Sequence, residues 1–142
     1  MLATMTIQKA LDDAIAHLNA DSGTIHLKDP ERMVLLLSAS RNIPQQVLEI
    51  VKEVPWGKGM AGVAVEKLQP VSVCNIQTTA SADVRPGARG TGMHGALVVP
   101  MMQGGQAVGA FGVGSLGDRE FTADETAWLL DFAARLAEQL DA

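Results

Sequence analysis

At 142 residues, 47% hydrophobic and 19% charged, the chain has the size and composition of one domain with a proper buried core. A net charge of −5 without a Lys/Arg cluster argues against a nucleic-acid surface, and the longest apolar run, residues 96–102, is too short to span a membrane. The single cysteine excludes an internal disulfide, and no basic segment followed by an apolar core opens the chain, so the expected compartment is the cytoplasm.

Ile7, Leu11, Ile15 and Leu18 recur at helical spacing between polar residues and predict an amphipathic helix over residues 6–19. Asp21-Ser22-Gly23 breaks it, and Thr24-Ile25-His26-Leu27-Lys28 alternates as a strand. Asp29-Pro30-Glu31-Arg32 is a turn, with a second strand over residues 33–40 completing a hairpin. Pro44 opens a short helix that runs to Val51. A Gly-started helix over residues 57–68 and a third strand over 70–75 follow. Residues 77–92 form a long polar loop holding Arg85, Pro86, Gly87, Arg89 and Gly90; loops of this length in a compact domain tend to be functional lids or disordered.

The strongest local signal is residues 94–115. Two apolar runs of strand length flank Gly104-Gly105, the pair that a tight hairpin turn with positive φ needs. On the second run Ala110, Gly112 and Gly114 alternate with Phe111 and Val113. One face therefore carries core side chains while the other leaves room beside the backbone, for a ligand or a closely packed helix. Thr122-Ala-Asp-Glu125 reads as a capping box that starts a last helix, with Leu129, Ala133, Leu136 and Leu140 in one stripe. The order α-ββ-α-α-β-loop-ββ-α predicts an α+β domain with an antiparallel sheet.

Few motifs carry chemistry by themselves. Gly57-x-Gly59-x-x-Gly62 matches the dinucleotide string, but a proline and a short helix precede it where a strand is required. A tight turn and close packing explain it. A helix starting there would still direct free N–H groups from Gly59, Met60 and Ala61 toward an anion. Arg85 and Arg89 read either as solvated charges or as a mobile clamp over a phosphate or carboxylate. No cation adjoins Cys74 to hold a thiolate. His17, His26 and His94 lack metal-ligand spacing, and no Ser/His/Asp or paired-carboxylate arrangement stands out. Trp56, at the mouth of the Gly-rich turn, is a core residue or a pocket wall. Trp128 reads as a packing or dimer-contact residue.

Five blocks then occur in order: Val54-Pro-Trp-Gly-Lys-Gly-Met-Ala-Gly62, Gln69-Pro-Val-Ser-Val73, Leu97-Val-Val-Pro-Met101, Ala107-Val-Gly-Ala-Phe111 and Phe121-Thr-Ala-Asp-Glu125. Together they resemble a GAF domain over nearly the whole chain, as one domain spanning residues 1–142. The resemblance implies an α+β, GAF-like (PAS-related) antiparallel sheet of five or six strands. Its terminal helices would cover one face, with short helices, a long loop and a pocket on the other. Strand parity would turn Leu97, Val99, Phe111 and Val113 to the terminal helices. Thr24, His26, Ser72, Cys74, His94, Ala96, Val98, Ala110, Gly112 and Gly114 would face the pocket. A slip of one residue swaps the sets.

The candidate ligand contacts are Trp56, Gly59, Met60, Ala61, Cys74, Arg85, Arg89, His94, Ala96, Ala110 and Gly112. No catalytic or metal-binding residue is expected, and no cofactor is indicated. The resemblance implies a non-enzymatic sensory module binding a small polar or anionic molecule. As a stand-alone domain it would signal through a protein partner or a homodimer contact along the terminal helices, with no nucleic acid or membrane involved. One alternative is an enzyme resembling the free methionine-(R)-sulfoxide reductases, whose thiol cycle the single cysteine could not close, or a one-cysteine redox sensor. Another is a ligand-free dimerisation domain. No Cys-His pair stands where bilin-binding relatives attach a chromophore, and the Asn-Lys of the cyclic-nucleotide signature is absent.

Overall fold

The computed structural model describes residues 6–75 and 92–140. Helix α1 (Ile7–Leu18) starts at Thr6, whose side chain accepts from the Lys9 N–H, and stops at Asn19 in the left-handed conformation. Strands β1 (Ser22–Asp29) and β2 (Val34–Arg41) form the first hairpin. Helix α2 (Gln45–Val51), strand β3 (Glu53–Pro55), helix α3 (Gly59–Lys67) and strand β4 (Val71–Val73) follow. Strands β5 (Gly95–Gln103) and β6 (Gln106–Ser115) form the second hairpin, and helix α4 (Ala123–Leu140) completes the described chain.

The strands make one antiparallel sheet in the order β3-β2-β1-β6-β5-β4. The fold is thus α+β, as expected. Gln103 pairs with Gln106 around Gly104 and Gly105, whose φ angles are 59° and 82°. Only the two-glycine turn fits that geometry easily. Strand β3 was not expected: three residues ending in proline carry too little alternation to announce a strand, and proline is tolerated there because β3 is an edge.

One face of the sheet is sealed. Leu97, Val99, Phe111 and Val113 pack with Leu11, Ile15 and Leu18 of α1 and Leu129, Ala133 and Leu136 of α4 in a single core. The expected parity holds for these four residues. The α4 stripe ends one residue early, however, because Leu140 is exposed. The other face carries α2 and α3 over a smaller core of Leu35, Val54, Val65, Ala107 and Ala110. Among the described residues no helix is long and apolar enough to cross a membrane.

Candidate functional site

Between the second face and the short helices lies a cavity of about 160 Å³. Its existence follows from what the strands lack. Ser22, Thr24 and His26 of β1 stand beside Gly114, Gly112 and Ala110 of β6. A Cβ on Gly112 would approach Val98 Cγ2 to 3.1 Å, so the bare backbone there is what lets Val98 pack closely at the cavity floor. Val47, Ile50 and Val51 of α2 form one wall; Gly59, Met60 and Ala61 of α3 form another, with Met93, Ala96 and Val98 beside them. The described lining is mostly aliphatic and includes no charged side chain.

Three polar side chains face this hollow: Ser22, Thr24 and His26. His26 is 3% exposed, and its Nε2 lies 2.8 Å from the Val51 carbonyl. A carbonyl only accepts, so Nε2 carries the proton and Nδ1 is the bare nitrogen. Nδ1 is buried without a hydrogen-bond partner among the described residues. Burial lowers the His26 pKa below the ordinary value of 6.5, against a smaller raising effect from the Val51 bond, so the ring is neutral at physiological pH.

The local backbone explains how His26 reaches α2. The register of β1 and β2 jumps between Ile25↔Ala39 and His26↔Leu37, leaving Ser38 as the extra residue of a bulge. Beside it the Leu37 N–H donates to the Lys52 carbonyl at 2.9 Å. Two carbonyls at the end of α2, which helix geometry leaves without intrahelical partners, are thus taken up by the sheet. At the opposite wall the first turn of α3, which has no side-chain cap from Lys58, lies beside the cavity with N–H groups that helix geometry leaves without intrahelical partners.

The family model for the GAF domain matches residues 4–141. The chain belongs to the GAF domain family. Solved structures agree in fold. The GAF domain of a phosphoenolpyruvate-protein phosphotransferase from Coxiella burnetii is 20% identical with a TM-score of 0.81, over 95% of this chain and 80% of that one. A free methionine-R-sulfoxide reductase from Neisseria meningitidis, in complex with its substrate, is 17% identical with a TM-score of 0.77, over 95% and 75%. A domain of a protein named as a two-component sensor histidine kinase from Sinorhizobium meliloti is 20% identical with a TM-score of 0.75, over 93% and 86%. No curated protein matches the chain.

Within this GAF domain, Gly59, Met60, Ala61, Ala96 and Gly112 line the cavity together, as do Thr24, His26, Val98 and Gly114. Four candidate contacts lie elsewhere. Trp56 stands at the end of β3 under Lys28, whose Nζ is 5.0 Å from the ring centroid, and packs on the smaller core. Ala110 faces the correct side but is covered within that same core. His94 turns outward, its Nδ1 2.7 Å from Asp118 Oδ1, because the strand begins only at Gly95 and Met93 takes the inward place. Cys74 is exposed beyond the end of β4.

The Cys74 and Ser72 expectations failed through a one-residue slip. Ser72 pairs with Leu97, on the helix-covered side, while Val71 and Val73 pair with Val98 and Ala96. The two valines bracketing a serine signalled this register, since the apolar positions go inward. Arg85 and Arg89 lie outside the described residues. The α2 wall was not anticipated as part of the site, although Val47, Ile50 and Val51 recur at helical spacing and marked a buried stripe.

Proposed function

We propose that this GAF domain is a non-enzymatic sensory module whose cavity holds a small molecule. The observation that carries the reading is the hollow itself: a concave, aliphatic space with a few polar groups on its floor, the usual make-up of a small-molecule site. Its volume resembles that of an engineered cavity of about 150 Å³ that takes up benzene, so the ligand, or the part of it held here, is compact. The ligand's apolar body rests on α2, Met60 and Val98, with its polar end toward Thr24, His26 and the first turn of α3. An anionic ligand, as expected from the sequence, draws support from that helix start alone, because Arg85 and Arg89 lie outside the described residues.

The signal leaves through α1 and α4 on the opposite face, to a partner protein or a second copy. There Trp128 stacks between His17 and Phe132, with centroid separations of 3.9 and 4.9 Å. A sulfoxide-reductase activity is the less supported reading, since the one thiol, Cys74, is exposed and does not line the cavity. The test is native mass spectrometry of freshly purified protein. A non-covalent adduct is expected in the wild type and lost in Ala96→Leu, which fills the hollow. An adduct retained unchanged in Ala96→Leu would overturn the assignment of the cavity as its site. NADPH-coupled turnover of free methionine-R-sulfoxide would overturn the non-enzymatic reading.

A further inference from the structure

We propose that His26 Nδ1 accepts a hydrogen bond from the ligand, so that the cavity selects molecules presenting an N–H or O–H group over anions. This rests on the reading of the cavity as a ligand site and adds the head-group chemistry that the site takes. The argument begins with the tautomer. The Val51 carbonyl, 2.8 Å away, fixes the proton on Nε2 and leaves a lone pair on Nδ1. That nitrogen is buried and has no partner among the described residues, in a ring that lines the cavity and is 3% exposed. Buried polar atoms are nearly always paired in folded proteins, so an unpaired one calls for a partner, which a donor group entering the adjoining cavity can supply.

The same lone pair discriminates. It attracts a donor and repels a carboxylate or phosphate oxygen, neither of which can donate to it. A hydroxyl or amide suits the site: its hydrogen serves Nδ1, and its oxygen keeps the capacity to accept. The β2 bulge and the Val51 bond hold the ring in one orientation.

The test uses phenol, toluene and benzoate as probes of matched shape, titrated into ¹⁵N-labelled wild-type protein. Binding is read at the backbone amides of Thr24, Ala96 and Val98, and the tautomer at the imidazole nitrogens of His26. Phenol is expected to move the Nδ1 resonance away from its unprotonated position, while toluene leaves it unchanged. In His26→Phe the preference for phenol over toluene falls by about 2- to 13-fold, the equivalent of one net neutral hydrogen bond. Should that variant not fold, the Nδ1 signature in the wild type decides. Phenol and toluene binding with Nδ1 unmoved would overturn the inference and leave the cavity reading standing. Benzoate binding more tightly than phenol would overturn the selection for donors over anions. If no probe perturbs the cavity amides, the ligand-site reading itself falls.

Discussion

His26 is costly to bury, which is why it matters at the scale of single residues. An unpaired buried acceptor forfeits on the order of 1–3 kcal/mol, and the ring must also stay neutral. The second cost gives a pH dependence with a defined sign. Since burial lowers the folded-state pKa below 6.5, the unfolded chain takes up the proton first as pH falls. This contribution to stability is fully present above about pH 6.5 and is lost at up to ~1.4 kcal/mol per pH unit below it, until the folded ring itself protonates. Urea unfolding is expected to show lower stability at about pH 5.5 than at about pH 7.5, by at most ~1.4 kcal/mol from this ring, and a smaller difference in His26→Gln. An unchanged pH slope in that variant would mean the ring is not held neutral by burial.

The same scale shows what was legible. Alternation placed Thr24, His26, Ala96, Val98 and Gly112 on the hollow side, because a long strand with one sealed face tolerates no other register. Two of the candidates that ended elsewhere, Trp56 and His94, sit at strand ends, where the backbone turns and parity no longer dictates direction, while Cys74 follows the one-residue slip of β4. Nothing local to residue 26 announced the bond to Val51, which depends on a bulge contributed by the neighbouring strand.

Among the elements, α4 was the easiest to read. The box is formed as expected: the Glu125 N–H donates to Thr122 Oγ1 at 3.0 Å, and the Thr122 N–H to Glu125 Oε1 at 2.9 Å. That backbone bond, followed by Arg119, holds the Glu125 carboxyl below its usual range. Arg119 was not singled out beforehand, yet its guanidinium donates to the Leu18 and Asn19 carbonyls at the end of α1, pairs with Glu125 and lies 4.2 Å from the Phe121 ring. It closes one helix and opens another, a role visible only once the two ends meet. Thr122→Ala is expected to cost about 1 kcal/mol, and Thr122→Ser to recover most of it, measured by thermal unfolding. Equal stability of the alanine variant would show that Arg119 and Glu125 hold the helix start without the hydroxyl.

For the whole molecule the governing fact is that the two sides of one sheet are filled differently. Adjacent residues of β5 make the comparison. Leu97 is fully buried in the core shared with α1 and α4, whereas Val98 is half-buried at the hollow. Leu97→Ala is expected to destabilise by about 2–5 kcal/mol, through lost burial and the void left behind. Val98→Ala costs about 1 kcal/mol or less, because its removal only enlarges an existing space. Denaturant midpoints at constant m-value check both; similar losses would mean that the second side is as tightly filled as the first. The layout was legible from composition along the strands, since bulky and small residues alternate on β6. The α2 wall came only with the structure, through contacts between segments far apart in sequence.

The bareness of β6 has a consequence for what the cavity could come to hold. What the hollow admits is set by atoms left off one strand, at Gly112 and Gly114, and each lies across from a residue that would meet the first carbon added. Retuning for a slimmer guest therefore asks for a larger side chain on the partner strand, at Ala96, since a methyl at Gly112 or Gly114 would crowd Val98 or Ser22. The tightly filled flank, which keeps the domain upright, need not be rebuilt.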